Sequence, residues 1–254
     1  MRTGNMTANS STVPCAAHFT LQGKGGVGKS LVAAIIAQYF KSIGAAPACI
    51  DTDPVNQTLV NYKALNASHL PLMAENSSRV DERKFDGLME QLLSKDGVFV
   101  VDNGSASFIP LSNYLLENDA LRVLRDAGRD VFIHVVITGG QALLETLEGF
   151  RALAAASSSQ NIVVWLNEYF GPIELDGKTF VEMKVYQEHA SRVRGTIRIQ
   201  ERNADTFGKD IQVLAKNKLT FEEALASPDW QIMARQRIRT VQRDLFEQLD
   251  SVGF

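Results

Sequence analysis

An eight-residue run near the beginning of the chain has the residue types and spacing of a phosphate-binding loop. It matches the pattern G-x-x-x-x-G-K-[ST], in which glycines let consecutive N–H groups point into a hollow that holds phosphate oxygens. Lys29 is placed to reach the β- and γ-phosphates of a nucleotide, and the hydroxyl of Ser30 is a ligand for Mg²⁺. The pattern therefore predicts a nucleotide-binding site. Its residues are Gly23, Lys24, Gly25, Gly26, Val27, Gly28, Lys29, Ser30 and the adjacent Leu31.

A carboxylate that could serve the same site ends an apolar run farther along the chain. Val98–Val101 is continuously apolar, as is typical of a strand buried on both faces, and Asp102 follows it directly. This is a Walker B pattern, in which the carboxylate contacts Mg²⁺ through water because this ion keeps much of its hydration. Strand ends often carry aspartate, so the prediction depends on the loop that precedes it.

The elements around the loop are those that such a site needs. Ala16–Leu21 predicts a strand that enters the loop, and residues from Lys29 to about Ile43 have apolar side chains at helical spacing. Gly44 is typical of the position just after a helix end, and Pro47–Ile50 predicts a second strand. Strand, helix and strand in this order form a βαβ unit, which favours a parallel sheet.

Strands and helices alternate along the remainder of the chain as well. The pattern predicts an α/β fold with a doubly wound, mostly parallel sheet and helices on both faces, in a single domain over residues 16–254. Residues 1–15 are expected to form a flexible extension, and residues 57–80 receive no assignment. The further predicted elements are helices at 85–94, 111–128 and 141–155, strands at 97–101, 131–137 and 161–166, and a helix in the C-terminal tail.

Polar residues stand at the ends of the predicted strands. Asp51 and Asp53 follow the second strand, Asp102 follows the Walker B strand, and Asn167 ends the strand at 161–166. Ligands of open α/β sheets bind at the carboxyl ends of the strands. These side chains are therefore expected to lie at one edge of one sheet, next to the phosphate-binding loop.

The loop carries Lys24 directly after its first glycine, so that it reads GKGGVGKS. This resembles the deviant Walker A motif of the family that includes plasmid-partition ATPases, cell-division site-selection ATPases and nitrogenase iron protein. The resemblance implies that the nucleotide is ATP, that its hydrolysis with Mg²⁺ is slow, and that a homodimer forms with ATP. It also implies that Lys24 reaches across the dimer to the other subunit's nucleotide. The catalytic residues would be Lys24, Lys29 and Asp53.

The resemblance continues after the second predicted strand. The segment CIDTDP at 49–54 is similar to the family's D-x-D-P segment, which implies that Asp53 orients or activates the attacking water. Asp51 would hold Mg²⁺-bound water or the loop, and for both acids the alternative is a turn or helix cap. Asn167 is similar to an asparagine that contacts adenine, with a strand-end turn as its alternative. The predicted metal-site residues are Ser30, Asp53 and Asp102.

Composition narrows the function classes. A chain of 254 residues, 45% of them hydrophobic, can bury one sizeable core. The net charge of −3 provides no basic field, so strong non-specific DNA affinity is not implied. Cys15 and Cys49 lie outside any Cys/His cluster, which argues against zinc and fits a cytoplasmic location. No apolar run approaches the roughly 20 residues of a membrane helix.

Segments beyond the ATPase motifs resemble a narrower group, the conjugal-transfer proteins of broad-host-range plasmids and integrative elements. The likeness covers about residues 17–249 and includes VVDNGSASFIPLS and RQRIRTVQRDLFEQL. It implies an ATPase switch that acts through an unidentified protein of the conjugation machinery.

Three alternatives to the conjugation role stay open. The first is a partition ATPase that binds non-specific DNA, for which Arg235, Arg239 and Arg243 share one helical face. Acidic residues close to these arginines make weak DNA binding the expectation. The others are a membrane-cycling ATPase, against which the acidic tail argues, and a metabolic enzyme on the same fold.

Overall fold

The computed structural model describes residues 14–75, 77, 79–157 and 161–254. Within these ranges a central sheet contains β1 (Ala16–Thr20), β2 (Ala48–Asp51), β3 (Ser68–His69), β4 (Val98–Asp102), β5 (Asp130–Thr138), β6 (Ile162–Asn167) and β9 (Val193–Ile199), and a separate antiparallel hairpin contains β7 (Glu174–Leu175) and β8 (Lys178–Thr179). The order across the central sheet is β3-β2-β4-β1-β5-β6-β9. Every neighbouring pair in it is parallel.

Helices cover both faces of this sheet. They are α1 (Lys29–Ser42), α2 (Lys84–Ser94), α3 (Phe108–Glu117), α4 (Ala120–Asp126), α5 (Leu143–Ala156), α6 (Lys184–His189), α7 (Lys209–Lys216), α8 (Phe221–Ala226) and α9 (Ile232–Val252). One core, around Phe40 and Trp165, lies between the sheet and helices α1, α7, α8 and α9. The other, around Phe85 and Phe150, lies beneath α2, α3, α4 and α5. The predicted doubly wound α/β fold is confirmed.

The central strands are apolar on both faces because each face meets a helical layer. In β4, Val98 and Val100 belong to one core, whereas Phe99 and Val101 belong to the other. This alternation follows from the two-residue period of a strand. It explains why the sequence of β4 is a continuous apolar run.

One predicted helix, at 111–128, is wrong in its extent. The helical segment begins at Phe108 and is interrupted between α3 and α4, where Asp119 has a left-handed backbone with φ of 51°. A short polar side chain such as aspartate tolerates this conformation better than an apolar one. The Asp119 carboxylate also bonds the Arg122 guanidinium at 2.5 Å, which anchors the start of α4.

The segments that received no assignment are short or lie at the border of the sheet. Residues 57–80 contain two single-turn 3₁₀ helices, Leu59–Asn61 and Lys63–Leu65, followed by the two-residue strand β3. β9 lies at the other border of the sheet, and its residues are buried to varying degrees. Such elements carry little periodic signal.

Most of the extension predicted at 1–15 lies outside the described residues, which begin at Pro14. Cys15 is bonded to the central sheet, because its carbonyl accepts a hydrogen bond from the Asp130 N–H at 2.9 Å. Within the described part of the chain, no helix combines the length and the apolar character needed to cross a membrane.

Candidate functional site

The glycine-rich loop connects β1 to α1 at the carboxyl edge of the sheet. Thr20, the last residue of β1, lies beside Asp102 of β4 in the parallel register. Gly26 and Gly28 have φ angles of 77° and 105°, a left-handed backbone that strains any residue with a side chain. α1 begins at Lys29, so its free N–H groups and the positive end of its dipole face the loop.

The side chain of Lys29 lies over this loop. Its Nζ donates to the carbonyl oxygen of Lys24 at 3.0 Å, and the residue is only 8% exposed. Burial lowers the pKa of Lys29, while the negative charges of Asp102 and Asp53 act in the opposite direction. The ammonium is therefore held within the loop by a backbone oxygen, near both predicted carboxylates.

Asp102 lies behind the loop and is buried. Its Oδ1 accepts a hydrogen bond from the Thr20 hydroxyl at 3.0 Å, whereas its Oδ2 has no partner among the described residues. Burial raises the pKa of Asp102 to about 7, and the nearby hydroxyls of Ser30 and Thr20 and the charge of Lys29 act against this increase. An unpaired buried oxygen is costly unless a ligand or water satisfies it. The pair formed by Ser30 and Asp102 is thus suited to a hydrated Mg²⁺ ion.

The two acids of the segment at 49–54 have different surroundings. Asp51 is fully buried, and its oxygens accept from the N–H groups of Asp53, Leu59 and Val60 at 2.8 to 3.2 Å. Of the two roles considered for Asp51, this geometry supports the one of holding the loop. Its carboxylate stabilises the chain immediately after β2 and leaves no oxygen free of the backbone.

Asp53 is held by its own loop but also faces the phosphate-binding loop. Its Oδ1 accepts from the N–H groups of Val55 and Asn56 at 2.8 and 3.1 Å, and its Oδ2 accepts from the Asn56 amide at 3.2 Å. The carboxylate therefore caps a turn, as the alternative interpretation proposed. The residue nevertheless lines the same cavity as Lys29 and Ser30, so the cap also fixes the carboxylate beside the loop.

The segment after β4 joins these parts together, and its role was not predicted. Asn103 Oδ1 accepts from the hydroxyls of Thr52 and Ser107 at 3.1 and 2.8 Å. The Gly104 backbone lies against Asp53, so that a Cβ atom added to Gly104 would stand 2.5 Å from Asp53 Cγ. In the sequence, the asparagine and glycine directly after the Walker B aspartate were the signal from which this role could have been predicted.

We predict that Gly104→Ala destabilises the protein, because its methyl group would displace the Asp53 carboxylate from the turn that it caps. Overpacking of this kind costs about 1–3 kcal/mol of unfolding free energy, which chemical denaturation would measure. Gly87→Ala is the matched control, because a Cβ at this α2 position meets no atom within 4 Å. That substitution should stabilise the helix slightly. Equal stability of Gly104→Ala and the natural protein would contradict the proposed close approach.

Two cavities adjoin the loop. The first, of about 350 Å³, has walls of mixed polarity and lies beside the phosphate-binding loop. It is lined by Gly25, Gly26, Gly28, Lys29, Ser30, Leu31, Asp53, Asn56, Thr58, Tyr62, Ser105, Ala215 and Lys218. The second, of about 130 Å³, lies on the other side of Leu31 and is mostly apolar, with Ile35, Tyr169, Ile199 and Phe207 among its walls. A cavity of mixed polarity and a mostly apolar one that share Leu31 match the two ends of a nucleotide.

Asn167 lies at the end of β6 and contacts the loop directly. Its Nδ2 donates to the carbonyl of Val27 at 2.9 Å, and its Oδ1 accepts from the Tyr169 N–H at 3.2 Å. The amide also stands 3.1 Å from the position of a Cβ at Gly28, so a larger residue there would crowd Asn167 as well as strain the backbone. In this arrangement Asn167 braces the loop. The predicted contact with adenine stays a prediction.

Lys24 points away from its own loop's phosphate site. Its Nζ forms an ion pair with Glu145 of α5 at 2.7 Å, and the two side chains are 38% and 59% exposed. A pair this exposed is worth about 0–1 kcal/mol, so it can open at little cost. The structure thus separates Lys24, at the surface, from Lys29, which is buried.

Comparison with solved structures identifies the class of protein. The chain aligns with the MinD cell division protein of Aquifex aeolicus with a TM-score of 0.51 at 14% identity, covering 91% of this chain and 97% of that chain. The MinC:MinD cell division protein complex of the same organism gives 0.52 at 15% identity, over 91% and 96%. At this identity the likeness concerns the fold. The chain therefore has a MinD-like fold, with the glycine-rich loop between β1 and α1 at the carboxyl edge of its sheet.

Sequence comparison is more specific. No family model matches the chain. Two Escherichia coli proteins described as protein TraL are 48% and 46% identical to it over 237 residues, which cover 93% of this chain and 98% of each relative. The chain belongs to the TraL family, and the narrower resemblance predicted from its sequence is confirmed.

Proposed function

We propose that this protein is a Mg²⁺-dependent ATPase switch that forms a homodimer around ATP and serves plasmid conjugal transfer. The observation that carries the proposal is the convergence of Lys29, Ser30 and Asp53 on one cavity, with the buried Asp102 close to the side chain of Ser30. These residues lie at the carboxyl ends of β1, β2 and β4 or in the segments that follow those strands. Ligands of open α/β sheets bind at this edge.

The loop and the two cavities bind different parts of ATP. Backbone N–H groups of the loop and the N-terminus of α1 hold the phosphates, and Lys29 leaves the Lys24 carbonyl to bond their oxygens. The apolar cavity beyond Leu31 takes the base, where Tyr169 and Phe207 are suited to pack against an aromatic ring.

Ser30 and Asp102 would hold the magnesium ion. The hydroxyl of Ser30 would supply an oxygen ligand, and the unpaired Oδ2 of Asp102 would accept a hydrogen bond from the ion's hydration water. When bound, the ion neutralises negative charge on the transferred phosphoryl group. Thr20 fixes the other oxygen of Asp102, so the carboxylate keeps one orientation.

Asp53 positions the attacking water. Its carboxylate is fixed by the turn at Val55 and Asn56 and by the Gly104 backbone, and it lines the phosphate cavity. A fixed carboxylate can accept a proton from water and orient its lone pair toward the phosphorus atom. The turn thereby serves catalysis by preorganising the group.

Asp53→Asn is expected to reduce ATP hydrolysis by about 10²- to 10⁴-fold, because the amide keeps the capping oxygen but loses the charge that orients the water. Affinity for ATP and the unfolding free energy should change little, and the ATP-bound form should accumulate. Single-turnover phosphate release and calorimetry would measure the two quantities separately. If this variant hydrolyses ATP at the rate of the natural protein, Asp53 has no role in the mechanism.

A homodimer is supported by the rim of the site. Val55, Ile109 and Leu144 are 68%, 66% and 64% exposed. Val55 lies in the turn that Asp53 caps, Ile109 lies near the start of α3, and Leu144 is adjacent to Glu145, which pairs with Lys24. Exposed apolar side chains around a binding site are typical of a surface that another protein covers. On dimerisation Lys24 leaves Glu145 and reaches the other subunit's phosphates.

The arginines predicted to face DNA are only partly paired. Arg243 lies 3.9 Å from Glu247, whereas Arg235 and Arg239 form no ion pair within the described part of the chain. The conjugation role, through a protein partner, is preferred to the partition role because the chain belongs to the TraL family and its net charge of −3 provides no basic field.

The proposal is tested by light scattering and phosphate release, with and without Mg²⁺ and ATP. A monomer that becomes a dimer only with ATP, and that hydrolyses it slowly, is the expected result. A donor strain whose gene is deleted should lose transfer, and the natural gene but not its Lys29→Ala version should restore it. A chain that stays monomeric and binds no ATP would contradict the proposal.

A further inference from the structure

Helix α7 ends in a turn that normally requires glycine. The Lys218 N–H donates to the Ala215 carbonyl at 3.3 Å, and the Leu219 N–H donates to the Leu214 carbonyl at 3.1 Å. These are the two hydrogen bonds of a Schellman motif, in which the residue after the C-cap has a left-handed backbone. Leu214 and Leu219 both pack in the core beneath it, as the motif's apolar contact.

Lys218 occupies the left-handed position of this motif, with φ of 54°. Glycine is preferred there because a Cβ atom is strained in this conformation. A lysine therefore destabilises the turn relative to glycine. Strain of this kind is found where the side chain has a use that offsets it.

Lys218 borders the phosphate cavity. It lines that cavity together with Lys29 and Ser30, although it comes from the other end of the chain. Its Nζ lies 5.8 Å from the centre of the Tyr62 ring, and Tyr62, which is 1% exposed, forms a wall of the same cavity. Lys218 is only partly exposed, and among the described residues no carboxylate pairs with it.

The charges of the cavity leave this lysine available for an anion. Asp53 is the carboxylate in the lining, and its oxygens already accept three hydrogen bonds from Val55 and Asn56. The ring of Tyr62 attracts an ammonium group but does not neutralise it. A phosphate oxygen is the natural partner of a compact ammonium in this position.

We propose that Lys218 is a further phosphate-binding residue, which contacts the triphosphate of ATP from the turn after α7 within the same chain. The inference rests on the proposed ATP binding and adds a residue outside the glycine-rich loop. It explains why a strained lysine stands where glycine would fit better. It also couples the end of α7 to the state of the nucleotide.

Lys218→Gly separates this role from a structural one. Glycine relieves the left-handed backbone, so the thermal unfolding midpoint should stay the same or rise. Affinity for ATP, measured by calorimetry with Mg²⁺, should nevertheless fall at least about tenfold, because a charge-assisted bond is lost. Lys218→Asn, which also tolerates this backbone, should lose the same affinity, and Lys218→Arg should keep part of it.

Lys216→Ala is the matched control, because Lys216 is exposed on the same helix and does not line the cavity. It should bind ATP as the natural protein does. If the natural protein binds ATP and Lys218→Gly binds it equally well, the inference about Lys218 is overturned while the proposed function stands. If the natural protein binds no ATP in the same titration, the proposed function fails, and this inference fails with it.

Discussion

Lys29→Ala should abolish measurable ATP binding. The ammonium of Lys29 is buried within the loop and has one backbone partner, the Lys24 carbonyl, that ATP phosphates can replace. Each hydrogen bond to a charged group contributes about 1.5–3 kcal/mol, so the loss of two or more weakens binding at least about a hundredfold. Calorimetry with Mg²⁺ and ATP is the measurement.

The control for Lys29→Ala is Lys41→Ala on the same helix. Lys41 is 51% exposed and pairs with the exposed Glu222, so its removal should leave ATP affinity unchanged. The unfolding free energy of Lys29→Ala should not fall, because burial of the ammonium opposes its charged form. Micromolar ATP affinity in Lys29→Ala would contradict the assignment of the loop as the phosphate site.

Lys24→Ala should bind ATP almost normally but stay monomeric and lose hydrolysis. Lys29 already serves the phosphates of its own chain, whereas Lys24 is at the surface in an ion pair with Glu145. If Lys24 stabilises the charge that develops on the other subunit's phosphates, its removal lowers turnover by about 10²- to 10³-fold. Phosphate release and light scattering with ATP would show both losses.

Two controls distinguish this role from a local one. Glu145→Ala breaks the same ion pair but leaves Lys24 intact, so it should dimerise at least as well as the natural protein. Lys24→Ala mixed with Asp53→Asn should recover partial activity, because one site of the mixed dimer has its own Asp53 and receives an intact Lys24. If Glu145→Ala loses as much activity as Lys24→Ala, the function of Lys24 is its ion pair with Glu145 and not a contact with the other subunit's nucleotide.

The parts of the site that follow one another along the chain could be predicted because their spacing is itself the constraint. A glycine-rich loop between a strand and a helix has one common geometry, in which left-handed glycines precede the first helical lysine. The apolar run that ends at Asp102 is equally local. Both predictions used residues that neighbour one another in sequence, and the fold places them at one edge of the sheet.

Contacts between distant segments could not be predicted in this way. Glu145 lies far along the chain from Lys24, and exposed charges are common, so no pattern marks their pairing. Likewise Lys218 is an unremarkable lysine in sequence, and only the turn after α7 places it at the border of the phosphate cavity. Such contacts depend on how helices pack, which local propensity does not encode.

By itself, the sequence determined the α/β class, the loop, and the residues at the strand ends, because period and spacing act over a few residues. The tertiary structure decided which of those residues hold a loop and which face the cavity. Asp51 and Asp53 are two residues apart, yet Asp51 is fully buried and accepts hydrogen bonds from backbone N–H groups, whereas Asp53 lines the cavity. The physical reason is that other segments of the chain bury each carboxylate and donate hydrogen bonds to it, and only folding brings those segments next to it.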